Sequence, residues 1–93
     1  MDPKLVNQQV RDFITENFLY ARPDFELGDA DPLLGRGIVD SMGVMEIVVF
    51  IEEQYGLQVD DADITEENLG SLNAITAYVT SRASAGSEHR QIA

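Results

Sequence analysis

Residues 41–55, Ser-Met-Gly-Val-Met-Glu-Ile-Val-Val-Phe-Ile-Glu-Glu-Gln-Tyr, constrain the fold more than any other stretch. Val44, Ile47, Val48, Ile51 and Tyr55 recur at helical spacing and make one apolar face. Met42, Met45 and Val49 fall on roughly the opposite side, interleaved with Glu46 and Glu53. A helix in a domain of 93 residues needs only one face for the core. The second face, apolar and acidic together, is therefore available to partners. Ser41 stands where the helix begins and is expected to be its N-cap, the side-chain oxygen accepting an orphan backbone N–H. Gly56 is the natural stop.

Two further stripes supply the rest of a core. Over Lys4–Leu19, Val6, Val10, Phe13, Ile14 and Phe18 form one face, with Gln8, Arg11, Asp12 and Glu16 left to water. After Ser71, a second candidate cap, Leu72, Ile75, Tyr78 and Val79 face inward. Thr65–Leu69 is too short for an independent helix and reads as a single turn closed by Gly70. Between the first two helices lies a long connection, Tyr20–Val39, rich in Asp, Gly and Pro. Its apolar residues Phe25, Leu27, Leu33, Leu34 and Ile38 are expected to pin it across the core, with Leu33-Leu34 as an anchoring pair after the Asp31-Pro32 turn. The expectation is an all-α bundle of three main helices and one helical turn. A domain over 1–83 is followed by a flexible tail, 84–93, that lacks periodicity.

Composition removes several classes of function. Without cysteine there is neither a disulfide nor a thiolate-ligated metal. The longest apolar run, Ile47–Ile51, is far too short to span a bilayer, and Met1-Asp2-Pro3-Lys4 opens no signal peptide. A soluble, cytoplasmic monomer is expected. The net charge is −11, and thirteen of the seventeen acidic residues lie between Asp24 and Glu67, where Arg36 is the only basic residue. Such a field repels nucleic acid and anionic membranes and steers toward basic partner surfaces.

The chemistry open to Ser41 is narrow. A catalytic serine needs a base in reach, yet the single histidine is His89 in the tail and no lysine follows Lys4. No catalytic residue is assigned. Asp61-x-Asp63-x-Thr65 resembles the start of a calcium loop, but its sixth position is Glu66 rather than Gly and its twelfth is Leu72 rather than Glu. No metal site is assigned. What remains is a serine for another enzyme to modify, because a phosphate ester there would meet free N–H groups and the positive end of the helix dipole. Gly43 is expected to clear the approach for an attached arm.

Gly37-Ile38-Val39-Asp40-Ser41-Met42 and the helix it opens resemble the phosphopantetheine attachment motif of acyl and peptidyl carrier proteins. Leu33-Leu34 upstream, Glu46, Glu52-Glu53 and the Tyr55-Gly56 stop strengthen the resemblance, which covers about Lys4 to Arg82. It implies a small acyl-carrier-like helical bundle that is not itself an enzyme. It implies also that 4′-phosphopantetheine, from coenzyme A, is attached to Ser41 between Asp40 and Met42. The terminal thiol would hold an aminoacyl or acyl group as a thioester. Implied partners are a phosphopantetheinyl transferase, an adenylating or loading enzyme, and downstream synthase or tailoring enzymes. Met42, Met45, Glu46, Val49 and Glu53 would meet them. Met42 departs from the Asp-Ser-Leu usual in fatty-acid carriers, and the Gly-Gly-x-Ser pattern of modular peptidyl carriers is absent. Ile64–Leu69 with Leu72–Ile75 looks like free-standing prolyl-type and other aminoacyl carriers, or discrete polyketide-type ones. That similarity, with bulky Phe50 and Tyr55 on the helix, favours aminoacyl or short acyl cargo. The competing reading is an all-α interaction domain without a prosthetic group, in which Ser41 only caps its helix.

Overall fold

The computed structural model describes residues 2–92, the side chains of 84–92 excepted. Four helices follow in order: α1 (Pro3–Phe18), α2 (Ser41–Tyr55), α3 (Glu66–Leu69) and α4 (Leu72–Ile92), with a short 3-10 turn at Asp61–Asp63. No strand occurs among the described residues. The expected flexible tail, 84–93, falls outside the residues whose side chains are described.

Each helix begins where local chemistry lets it. Asp2 caps α1 by accepting the Lys4 N–H at 2.9 Å, and Pro3 takes the first helical position, where its missing donor costs nothing. Thr65 caps α3 through the Asn68 N–H, and the Ser71 hydroxyl accepts the Ala74 N–H at 3.1 Å to open α4. Gly56 ends α2 in the left-handed conformation at φ 65°, which a side chain rarely adopts.

The expected stripes meet in one core. Val6, Val10 and Ile14 of α1 join Ile47, Val48 and Ile51 of α2 and Leu72, Ile75, Tyr78 and Val79 of α4, all buried. Val44, Tyr55, Phe13 and Phe18 are partly buried against that cluster.

The long connection is held, not slack. Leu27, Leu33, Ile38 and Val39 are buried along it. Arg11, expected to face water, instead donates to the Leu27 carbonyl and to the Asp29 carboxylate, which Asn7 also reaches. The Asp29 carbonyl accepts from Asn73 of α4 at 3.0 Å, and the Leu33 N–H donates to the Gly70 carbonyl at 2.8 Å. Asp31 ties the middle of the loop by accepting from the Gly28 N–H and from Arg36. Leu34 departs from the expected anchoring pair. It is 40% exposed, because Leu33 alone turns inward where its backbone is bonded to Gly70.

Gly43 likewise differs from expectation. It is buried, and a methyl group on it would lie 2.9 Å from the Phe18 ring and 3.1 Å from Val39 Cβ. The missing side chain lets Phe18 of α1 and Val39 of the loop pack against the first turn of α2. In an open helix Gly→Ala gains about 1 kcal/mol. Here we expect Gly43→Ala to lose about 1–2 kcal/mol through overpacking, read as a lower urea midpoint at unchanged slope.

A polar network ties the 3-10 turn to α4. Tyr78 donates to Asp63 at 2.9 Å, and Arg82 reaches the same carboxylate at 3.0 Å and the Gln58 carbonyl at 2.8 Å. Burial first, and then the bond to Asp63, push the Tyr78 phenol above its ordinary range. A value raised in the folded state means this contribution is complete below about pH 10 and is lost as pH climbs through the raised value. Tyr78→Phe should therefore start about 1 kcal/mol less stable and fall off less steeply in alkali, measured by thermal unfolding across a pH series.

Candidate functional site

The start of α2 is built by the four residues before it. Gly37 sits at φ 69°, letting the chain turn, and Ile38 and Val39 then bury themselves. Both of their N–H groups donate to the Leu33 carbonyl. Asp40 is extended, and its Oδ1 accepts the Gly43 N–H at 2.7 Å while its carbonyl takes the Val44 N–H at 3.0 Å. The N-cap is therefore Asp40, not Ser41. A signal for this was present in the sequence, since Val39 and Val44 stand at the two positions of a hydrophobic staple only if Asp40 is the cap.

That correction changes what Ser41 is. It is the first helical residue, exposed, and its hydroxyl makes no hydrogen bond among the described residues. The cap is carried by one residue and a free hydroxyl by the next.

Ser41 opens onto a cleft of about 260 Å³ between α2 and α3, lined by Leu34, Val44, Met45, Ile64 and Leu69, with Thr65, Glu66 and Gly70 at its edge. Leu34 thus belongs to the surroundings of Ser41 and not to the core. Nothing in its immediate sequence marks it as different from Leu33. On the other side of Met45, the second face of α2 is open as expected: Met42 is 79% exposed, Val49 50% and Met45 49%. Glu46 and Glu53 line the same surface. Glu52 turns away and accepts the Val59 N–H at 3.0 Å, fastening the chain after α2.

Phe50 and Tyr55 were expected to limit the cargo. They lie elsewhere, Phe50 stacked on Phe13 with centroids 4.3 Å apart and Tyr55 donating to Gln9 of α1 at 2.8 Å. Neither lines the cleft beside Ser41. Asp63, from the calcium-like run, is engaged by Tyr78 and Arg82, and no cluster able to hold a metal occurs among the described residues.

Residues 10–79 match the family described as the phosphopantetheine attachment site. The chain belongs to that family. A D-alanyl carrier protein of Abiotrophia defectiva is 32% identical over 53 residues, which cover 57% of this chain and 67% of that protein. The chain is thus a carrier, and its prosthetic group is covalently attached phosphopantetheine. The residues at the start of α2 fit such a group: an exposed hydroxyl with no structural duty, at the positive end of a helix and beside an apolar cleft. No helix among the described residues is long and apolar enough to cross a membrane.

The division between cap and hydroxyl is measurable. Asp40→Ala should cost about 0.5–2 kcal/mol of stability, and Asp40→Asn much less. Ser41→Ala should stay within about 0.5 kcal/mol of the parent. Urea denaturation monitored by circular dichroism distinguishes these outcomes; the reverse order would make Ser41 the cap.

Proposed function

We propose that this protein carries an aminoacyl group as a thioester on a phosphopantetheine arm attached to Ser41, and presents it to enzymes that dock on the exposed face of α2. The observation that carries the reading is the exposed, unbonded Ser41 hydroxyl between Asp40 and Met42, within a family match that spans it. The arm supplies a terminal thiol on a flexible tether, so a bound group meets successive enzymes at high local concentration. This chain's part is to hold the serine rigidly at a capped helix start and to offer a docking face. The base for attachment belongs to the phosphopantetheinyl transferase, because no imidazole or lysine lies among the residues around Ser41.

The aminoacyl cargo is favoured by the D-alanyl carrier relative and by the modest cleft, which has room for a short group more than for a long chain. D-alanine is the first candidate. An adenylating enzyme would then load the arm, and downstream synthase or tailoring enzymes would take the group from it. A free-standing, monomeric carrier working in the cytoplasm, where coenzyme A and ATP are at hand, completes the reading.

Docking combines charge and apolar contact. Glu46 and Glu53 attract Arg or Lys on the partner, and Met42, Met45 and Val49 supply the contact, methionine adapting to several surfaces. Incubation with a broad-specificity transferase and coenzyme A should add one phosphopantetheinyl group by intact mass, and Ser41→Ala should take none. Uptake by the alanine variant would overturn the assignment.

The loading step tests the face. Exposed ion pairs are worth about 0.2–1 kcal/mol each, so Glu46→Ala should slow loading only about two- to fivefold. Glu46→Lys sets like charges together and should slow it further, by about tenfold, with the gap narrowing as salt rises. Loading kinetics with a D-alanine-adenylating enzyme across a salt series checks both; a Glu46→Lys variant that loads like the parent would remove α2 as the docking surface.

A further inference from the structure

Leu33 is buried in the core, whereas Leu34 beside it is 40% exposed. A single leucine in water is commonplace, but this one is held in place from both sides. The Leu33 N–H before it is bonded to the Gly70 carbonyl at 2.8 Å, and its own carbonyl accepts the Gly37 N–H at 3.1 Å. The cleft that opens at Ser41 lies on one flank of Leu34. On the other flank is a second hollow of about 210 Å³, whose lining includes the small residues Ala30, Pro32, Gly35 and Ser71. Leu34, Glu66 and Gly70 line both hollows and so stand between them. Gly70 brings only backbone to this partition, its N–H closing on the Glu66 carbonyl at 2.9 Å. Glu66 is exposed, and its carboxylate belongs in water because burying it unpaired is costly. Leu34 is therefore the one apolar side chain in the partition.

We propose that Leu34 sets the length of the group this carrier can shelter: it is the end wall of the cleft beside Ser41, and its removal joins the second hollow to the cleft and admits a straight acyl chain. The inference rests on the reading that Ser41 bears the arm and the cleft receives its cargo, and it names the residue that limits that cargo. A short group ends before the wall. A longer one meets a leucine fixed by backbone bonds and leaves its further methylenes in water, each of which forfeits about fourfold in the seated population. Substituting Leu34 spares the fold, since it has no part in the buried core.

The test uses the whole chain, 15N-labelled and loaded by a broad-specificity transferase from acetyl-, butanoyl- or octanoyl-coenzyme A. The parent is compared with Leu34→Ala and with Met45→Ala, which removes bulk from another part of the cleft lining. Amide shifts of each loaded form are read against the acetyl form of the same variant. Butanoyl should shift Ile64 and Leu69 in all three. Octanoyl should also shift Ala30, Gly35 and Ser71, but only in Leu34→Ala, where its thioester should resist hydroxylamine about fourfold longer than in the parent. Octanoyl-induced shifts of those three amides in the parent or in Met45→Ala, or their absence in Leu34→Ala, would overturn the proposal. Intact mass is recorded before each spectrum. A chain that takes up no arm fails the carrier reading at Ser41 and the wall with it, whereas a loaded chain with the wrong shifts fails the wall alone.

Discussion

Everything at the business end of this molecule depends on one hydrogen bond, from the Gly43 N–H to the Asp40 carboxylate at 2.7 Å. A helix start leaves several N–H groups without partners, and some neighbouring side chain must answer them. Asp40 does so from outside the helix. Ser41, which could have served equally well by its chemistry, is left with its hydroxyl in water. Were the serine the cap, modifying it would remove a support of α2 each time the group was attached. With the aspartate in that role, the hydroxyl can change its chemistry while the fold is indifferent.

The bond is in turn maintained by the connection that leads into it. Tyr20–Val39 is long enough to be slack, and a slack loop would let Asp40 wander. Arg11 holds Leu27 and Asp29 to α1, Asn73 holds Asp29 to α4, and Gly70 holds Leu33. Leu33 then accepts from Ile38 and Val39, immediately before the cap. The absent side chain at Gly43 lets Phe18 and Val39 close on the first turn of α2. The loop contributes little regular structure and still fixes the serine, because its bonds reach three different helical elements.

The helices were legible in the sequence and the loop's geometry was not, for a physical reason. Helical periodicity is local, so the stripe of Val44, Ile47, Val48 and Ile51 and the stop at Gly56 could be read directly, and α2 has the expected limits. The open face of Met42, Met45 and Val49 followed from the same geometry by exclusion. Leu34 and Arg11 were misjudged because their surroundings come from residues distant in the chain. Gly43 was given the wrong neighbour for the same reason. Phe50 could be placed on a helix but not against Phe13, the contact that holds it away from the cleft beside Ser41. The cap is the instructive case, since the Val39–Val44 spacing held the answer while the preference of serine for caps pointed one residue too far.

The family match makes the chain a carrier of covalently attached phosphopantetheine. The most direct measurement is hydrogen exchange at the Gly43 amide, followed by NMR in the unmodified protein and again after phosphopantetheinylation. If Asp40 is the cap and the Ser41 hydroxyl carries the arm, protection of that amide is the same in both forms. Loss of protection on modification would show that the modified hydroxyl had been holding the helix, and would contradict the account.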